Sequence, residues 1–250
     1  MSDLFDELDA LAEEGDLAAM EARALKALRR AGPAEATDLW RYVAWARLEL
    51  GRPTQALVAA RRAGDALYEA RALFHEWDFE GARGALARAT GEGDDAAEAA
   101  WYRGLLAEFT GQEGDAHFRD AARIAPHLFR EPVRLTDREV DAVVREALDA
   151  LPPVVARAAA DTVVQVAPLP APHPDVDPLT LGLYTGVSHL DRSVEAMPHL
   201  PARIEIFKRN IERLAGDRET VVEELRITLL HELGHHLGYG EEGLEAMGLG

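Results

Sequence analysis

The segment His231-Glu232-Leu233-Gly234-His235 sets two imidazoles and a carboxylate in the pattern HExxH. Residues four apart on an α-helix lie one above the other, so His231 and His235 can point at a single ion. Glu232 sits further round the helix, beside that ion, where it can hold a water. In this pattern one turn of helix offers two nitrogen ligands to zinc and a general base. The flanking residues agree. Arg226-Ile227-Thr228-Leu229-Leu230 reads as a buried helix, and Gly238 and Gly240 follow where the helix must end. The plain alternative is a pair of polar histidines closing a core helix.

Two histidines do not complete a catalytic zinc site, which takes three protein ligands and an open position. The chain contains no cysteine, so the third ligand must be nitrogen or oxygen. Twelve residues follow Gly238 in this sequence, and among them Glu241 is the best candidate, ten residues after His231, with Glu242 next and Glu245 behind. A continuing helix would carry residue 241 about 15 Å along the axis, out of reach. Gly238 can take positive φ, end the helix and turn the chain back toward the ion. His189 and His199 are upstream alternatives. His236 lies off the His231/His235 stripe and is expected to pack or to support a ligand. Met247 is expected to pack. A hydrogen-bond donor beside the metal should stabilise a developing oxyanion, and Tyr184 and Tyr239 are the candidates.

The elements that must position these groups fall into two parts, 1–130 and 131–250. The first reads as helices only, rich in Ala, Leu, Arg and Glu with apolar residues at three- and four-residue spacing. Helices are expected near 3–14, 16–31, 34–50, 53–64, 66–76, 79–90, 94–110 and 113–125. Gly32-Pro33 and Gly51-Arg52-Pro53 are stop-then-start signals. The second part reads as α+β. A helix opens at Thr136 or Asp137, with Glu139 placed for a capping box, and stops before Pro152-Pro153. A short helix, Val154 to Ala160, follows. Strands are expected at Thr162 to Val166, Leu181 to Val187 and Ala202 to Lys208, with a proline-dense loop between the first two. A long helix, Glu219 to Leu237, carries the motif. Residues 203–208 are the expected sheet edge that could pair with an extended peptide.

The net charge of −18 argues against a nucleic-acid partner, and no apolar run approaches membrane-spanning length. The start of the chain is acidic and carries no secretory pattern, so a cytoplasmic protein is expected.

A faint repeat, mostly of small residues, runs along the helical part: Gly51, Ala56, Ala60 and Ala63, then Ala82, Leu86 and Ala89, then Gly104, Gly111, Phe118, Ala121 and Pro126. This resembles tetratricopeptide repeats, with the departure that Ala56 and Ala82 stand 26 residues apart against a family period of about 34. The resemblance implies helical hairpins that present a groove to a peptide or protein, with Trp40, Arg41, Trp45, Trp101, Tyr102 and Arg103 as candidate lining residues. The second part resembles bacterial zincin-like metallopeptidases. The similarity rests on Leu151-Pro152, Val163 to Val166, Leu181 to Gly186, Arg203 to Lys208 and His231 to Glu242. It implies a minimal zincin domain with bound Zn2+, ligated by His231, His235 and an acidic residue (Glu241, or Glu242 as the alternative), and a peptide or protein substrate. Peptide deformylases share HExxH but take a cysteine as third ligand, which is absent here. The expected function is zinc-dependent peptide hydrolysis with Glu232 as general base, the helical part recruiting or restricting substrate. The alternative is an adaptor whose zinc is structural and whose repeats bind a protein partner.

Overall fold

In the computed structural model of the chain, residues 2–160, 162–186 and 202–246 are described, with backbone alone for Ser2, Asp3, Val154 and Ala158. The expected candidates His189, His199 and Met247 lie outside the described residues. The chain divides into two compact units, Met1–Phe129 and Arg130–Gly250. No described helix is long and apolar enough to cross a membrane.

The first unit contains α1 (Ser2–Glu13), α2 (Leu17–Ala27), α3 (Pro33–Glu49), α4 (Pro53–Ala63), α5 (Ala66–His75), α6 (Phe79–Leu86), α7 (Gly93–Phe109) and α8 (Asp115–Ile124). Five of the helix starts have a clear local cause. Proline opens α3 and α4 at a position whose N–H needs no partner. The carboxylates of Asp16, Asp65 and Asp78 accept backbone N–H groups at the starts of α2, α5 and α6. Successive helices pack as hairpins, α3 with α4, α5 with α6 and α7 with α8, while α3, α5 and α7 touch one another and form one face of the stack. Small residues set the hairpin spacing. A Cβ added at Gly104 would lie 2.5 Å from the Phe118 ring, and one at Gly114 would lie 2.6 Å from the Gly104 carbonyl oxygen. Of the residues expected to line a groove, Tyr102 is buried and Trp101 packs between Phe118 and Phe129. Trp40 holds the guanidinium of Arg62, 4.5 Å from its ring centre.

The second unit contains α9 (Asp137–Asp149), α10 (Pro153–Ala158), β1 (Val163–Ala167), β2 (Gly182–Thr185), β3 (Arg203–Phe207), α11 (Lys208–Glu212), α12 (Arg218–Leu237) and α13 (Glu241–Glu245). Thr136 and Glu139 form the capping box of α9. The sheet order is β1-β3-β2, β1 parallel and β2 antiparallel to β3. This corrects the expectation that 203–208 is the edge. Ile204, Ile206 and Phe207 are buried, and β3 is paired on both sides, so β1 and β2 are the edge strands among the described residues, and β2 is the one beside α12. Val140, Val143 and Ala147 of α9, Ile204 and Ile206 of β3, and Val221, Leu225, Leu229 and Leu233 of α12 form one core. The four-residue repeat on α12 turns that stripe inward and leaves His231 and His235 on another face.

Two short elements were not anticipated. α11 follows β3 without a break, and it carries the buried Asn210. The Asn210 amide donates to the carbonyls of Pro178 at 2.8 Å and Thr180 at 2.6 Å, which ties down the end of the proline-dense loop just before β2. Beside it, Glu212 accepts from Leu135 N–H at 2.8 Å and pairs with Arg134 at 3.0 Å, fastening the segment that leads into α9.

Candidate metal centre

α12 begins at Asp217, whose carboxylate accepts from Thr220 N–H at 2.9 Å, and ends at Gly238 with φ +95°. Near its C-terminal end, His231 and His235 present their Nε2 atoms 3.0 Å apart. Gly238 reverses the chain, and two consequences follow for the site. The Tyr239 carbonyl comes to 3.2 Å from His235 Nδ1, which places the proton on Nδ1 and leaves the Nε2 lone pair facing the cleft. The chain then enters α13, whose first residue is Glu241. Its carboxylate oxygens lie 3.3 Å from His235 Nε2 and 3.7 Å from His231 Nε2.

α13 is held by Leu244, which is fully buried. It seats where Gly234 has no side chain, for a Cβ at Gly234 would lie 2.2 Å from Leu244 Cδ2. The glycine inside the motif therefore makes room for the anchor that keeps Glu241 near the histidines. A leucine set among the glutamates Glu241, Glu242 and Glu245, with a glycine inside a helix, was the available signal for this contact.

The donor set fits zinc. Ligand atoms of His231, His235 and Glu241 all lie within 4.8 Å of one another. Bonds of about 2.0–2.2 Å in tetrahedral geometry require ligand atoms roughly 3.3 Å apart; the two Nε2 atoms are 3.0 Å apart, and the two Glu241 oxygens lie 3.3 Å (Oε1) from His235 and 3.7 Å (Oε2) from His231. Two neutral imidazoles and a carboxylate match zinc chemistry in a chain without thiolates. Glu242 and Glu245 are exposed and are not part of this group.

Glu232 lies on the side of α12 that faces β2 and is 7% exposed. β2 passes so close that a Cβ at Gly182 would lie 2.8 Å from Glu232 Oε1 and 2.9 Å from Thr228 Cγ2. The Tyr184 backbone N–H donates to the Glu232 carboxylate. Burial raises the Glu232 carboxyl above the usual carboxylate range, against the opposing pull of His231, His235 and that N–H. In the sequence Gly182 reads only as part of a strand; its contact with Glu232 joins residues fifty positions apart and leaves no local pattern.

His236 is fully buried, with Nε2 at 3.2 Å from the Thr162 hydroxyl and Nδ1 at 3.3 Å from the Tyr184 hydroxyl. It supports Tyr184 and does not point at the cluster of ligand atoms. The Tyr239 ring is half exposed, and this residue meets the site through its carbonyl. A cleft of about 710 Å³ runs along β2 and α12, lined by Leu181, Tyr184, Ile227, Thr228 and the four chemical residues His231, Glu232, His235 and Glu241.

Residues 159–250 match the family model of the zincin-like metallopeptidases. At the level of the family, that match supports a zinc metallopeptidase acting on peptides or proteins. No curated protein matches the chain.

Proposed function

We propose, on the premise that residues 159–250 are a zincin-like metallopeptidase domain, that the chain hydrolyses peptide bonds with His231, His235 and Glu241 holding zinc and Glu232 acting as general base. The observation that carries this reading is the convergence of the three ligand groups on one point beside a buried glutamate. When bound, zinc supplies Lewis acidity that polarises a carbonyl and brings a water toward ionisation near neutral pH. Glu232 accepts the proton of the attacking water and returns it to the leaving amine, a task suited to a carboxyl raised by burial. Gly182 and the Tyr184 N–H hold that carboxylate in place.

The substrate enters as an extended strand along β2, where main-chain hydrogen bonds would supply affinity without selecting side chains. Tyr184, whose hydroxyl is supported by His236, is the better oxyanion donor, because it lines the cleft. Tyr239 positions His235 through its carbonyl. Glu242 remains the alternative acidic ligand. The helical unit recruits or restricts the substrate.

The test pairs metal analysis with a peptide-library assay of the wild type and Glu232→Gln. The expected result is about one zinc per chain in both, with turnover lowered by about 10²–10⁴-fold in the variant. Equal, metal-independent turnover by the two proteins would sink the mechanism, and full zinc without turnover in either would favour an adaptor with a structural ion.

A further inference from the structure

The helical unit carries a pocket that has no part in the metal centre. It opens between α1, α3 and α5 and encloses about 400 Å³. Phe5, Tyr42, Trp45 and Tyr68 form its aromatic wall, and Asp9 and Asp38 stand at its rim with Arg41. Phe5 and Tyr42 have ring centres 5.9 Å apart, and Tyr42 and Trp45 6.4 Å apart. All four rings are only partly buried, although each packs one side against the core of the unit or its edge.

The charges in this pocket do not balance. Arg41 is already spent on two partners, Asp65 at 2.7 Å and Asp95 at 3.4 Å. Asp38 has no partner among the described residues. Asp9 accepts a hydrogen bond from the neutral Tyr42 hydroxyl, which leaves its charge uncompensated. Burial first, and then Asp9 and Asp38, push the Tyr42 phenol far above its usual range, as expected beside unbalanced negative charge. Other aromatic faces of the unit are occupied by internal cations: Arg62 covers Trp40, and Arg71 covers Tyr102 and also Tyr68 of the pocket wall. Among the described residues no cation covers Tyr42 or Trp45. An aromatic wall with a negative rim attracts a cation by both ring quadrupole and charge.

We propose that this pocket receives a lysine or arginine side chain carried on a peptide segment of a protein partner. Asp38 and Arg41 also border a second hollow of about 380 Å³ between α3, α5 and α7. The segment therefore has a path of several residues along the face that these helices share. A free small cation would not need this second hollow, whereas a peptide segment would span both. The reading does not depend on the metal centre, and either can fail alone.

The test uses the full-length protein and a fluorescein-labelled alanine/glycine peptide with lysine at every third position, read by anisotropy at physiological salt. A matched peptide with glutamate in place of lysine is the control for charge. The lysine peptide binds and the glutamate peptide does not. Trp45→Phe keeps an aromatic face and retains most of the affinity, whereas Trp45→Ala combined with Asp38→Asn weakens binding about tenfold or more. Asp38 is exposed, so Asp38→Asn alone folds and still weakens binding several-fold. Asp120→Asn removes an acid on the exposed face of α8 that pairs with Arg123, and it leaves the affinity unchanged. Equal weakening by Asp120→Asn and Asp38→Asn would overturn the proposal, because the net charge of −18 would then account for attraction at any point. Absence of lysine-peptide binding would overturn it as well.

Discussion

The same device serves two ends in the two units. In the helical unit Gly104 and Gly114 give up their side chains so that the Phe118 ring can sit between α7 and α8. In the second unit Gly182 yields the space that Glu232 occupies, and Gly234 yields the space that Leu244 occupies. The first pair lets apolar groups meet and contributes to stability. The second pair sets where a carboxylate stands. Close packing is as costly to disturb in either place, but only in the second unit would a displacement of one ångström move the proposed general base.

The largest expected effect breaks that comparison if it is wrong. Gly182→Ala pushes against Glu232 Oε1 and Thr228 from the strand side. Turnover of a short peptide should fall about 10²-fold, the usual penalty for misplacing a catalytic group by one ångström. Zinc content should stay at the wild-type level, because the atoms nearest the added methyl belong to Glu232 and Thr228 and not to either histidine. Unchanged turnover would mean that Glu232 is not held by this contact.

The next effect falls on the metal. Glu241→Gln and Leu244→Ala should each weaken zinc binding by about 10–100-fold in competition with a chromophoric chelator, the first by removing a ligand and the second by releasing α13. Glu242→Gln should leave zinc affinity as it is. If Glu242→Gln weakens binding and Glu241→Gln does not, the acidic ligand is the neighbouring residue.

These residues differ in how readable they were. His231, Glu232, His235 and Glu241 are joined by spacings along one helix and one turn, and short-range spacing is what a sequence displays. Five of the eight helices of the first unit were visible for the same reason: α2, α5 and α6 begin at an aspartate cap and α3 and α4 at a proline. The turn at Trp77 falls in the expected gap between 76 and 79, although it takes φ +62° without a glycine to mark it. α11 and α13 span five residues each, too few for a periodic stripe to show. The position of β3 was misjudged because a strand rich in isoleucine looks alike at an edge and at the centre of a small sheet. The supports of the site were the least visible. Gly182 against Glu232, Asn210 on the carbonyls before β2, and His236 between Thr162 and Tyr184 join positions 30 or more residues apart. Nothing local records such a contact.

Gly104→Ala is the counterpart of Gly182→Ala in the helical unit. The added methyl meets the Phe118 ring, so unfolding of that unit should come earlier, by about 1–3 kcal/mol. Circular-dichroism melts would show this as a lowered first transition, with turnover of a short peptide unchanged. Loss of turnover together with stability would mean that the two units do not answer separately to such changes.

The smallest effects separate the two roles most cleanly. Gly51 ends α3 with φ +66° and Gly238 ends α12 with φ +95°, both in the left-handed region. Alanine at either position meets the same backbone strain, about 1–2 kcal/mol. The stability losses should therefore be similar. Their consequences should not be. Gly51 turns the chain toward another helix of the stack, and Gly51→Ala should leave zinc affinity untouched. Gly238 brings the Tyr239 carbonyl to His235 and sends Glu241 back toward the histidine pair. Gly238→Ala should weaken zinc binding beyond what its effect on stability explains, read by chelator competition at a temperature where both variants are folded. Equal zinc affinities would mean that the tail finds the metal whatever ends the helix, and that Leu244 in the notch at Gly234 is sufficient to place Glu241.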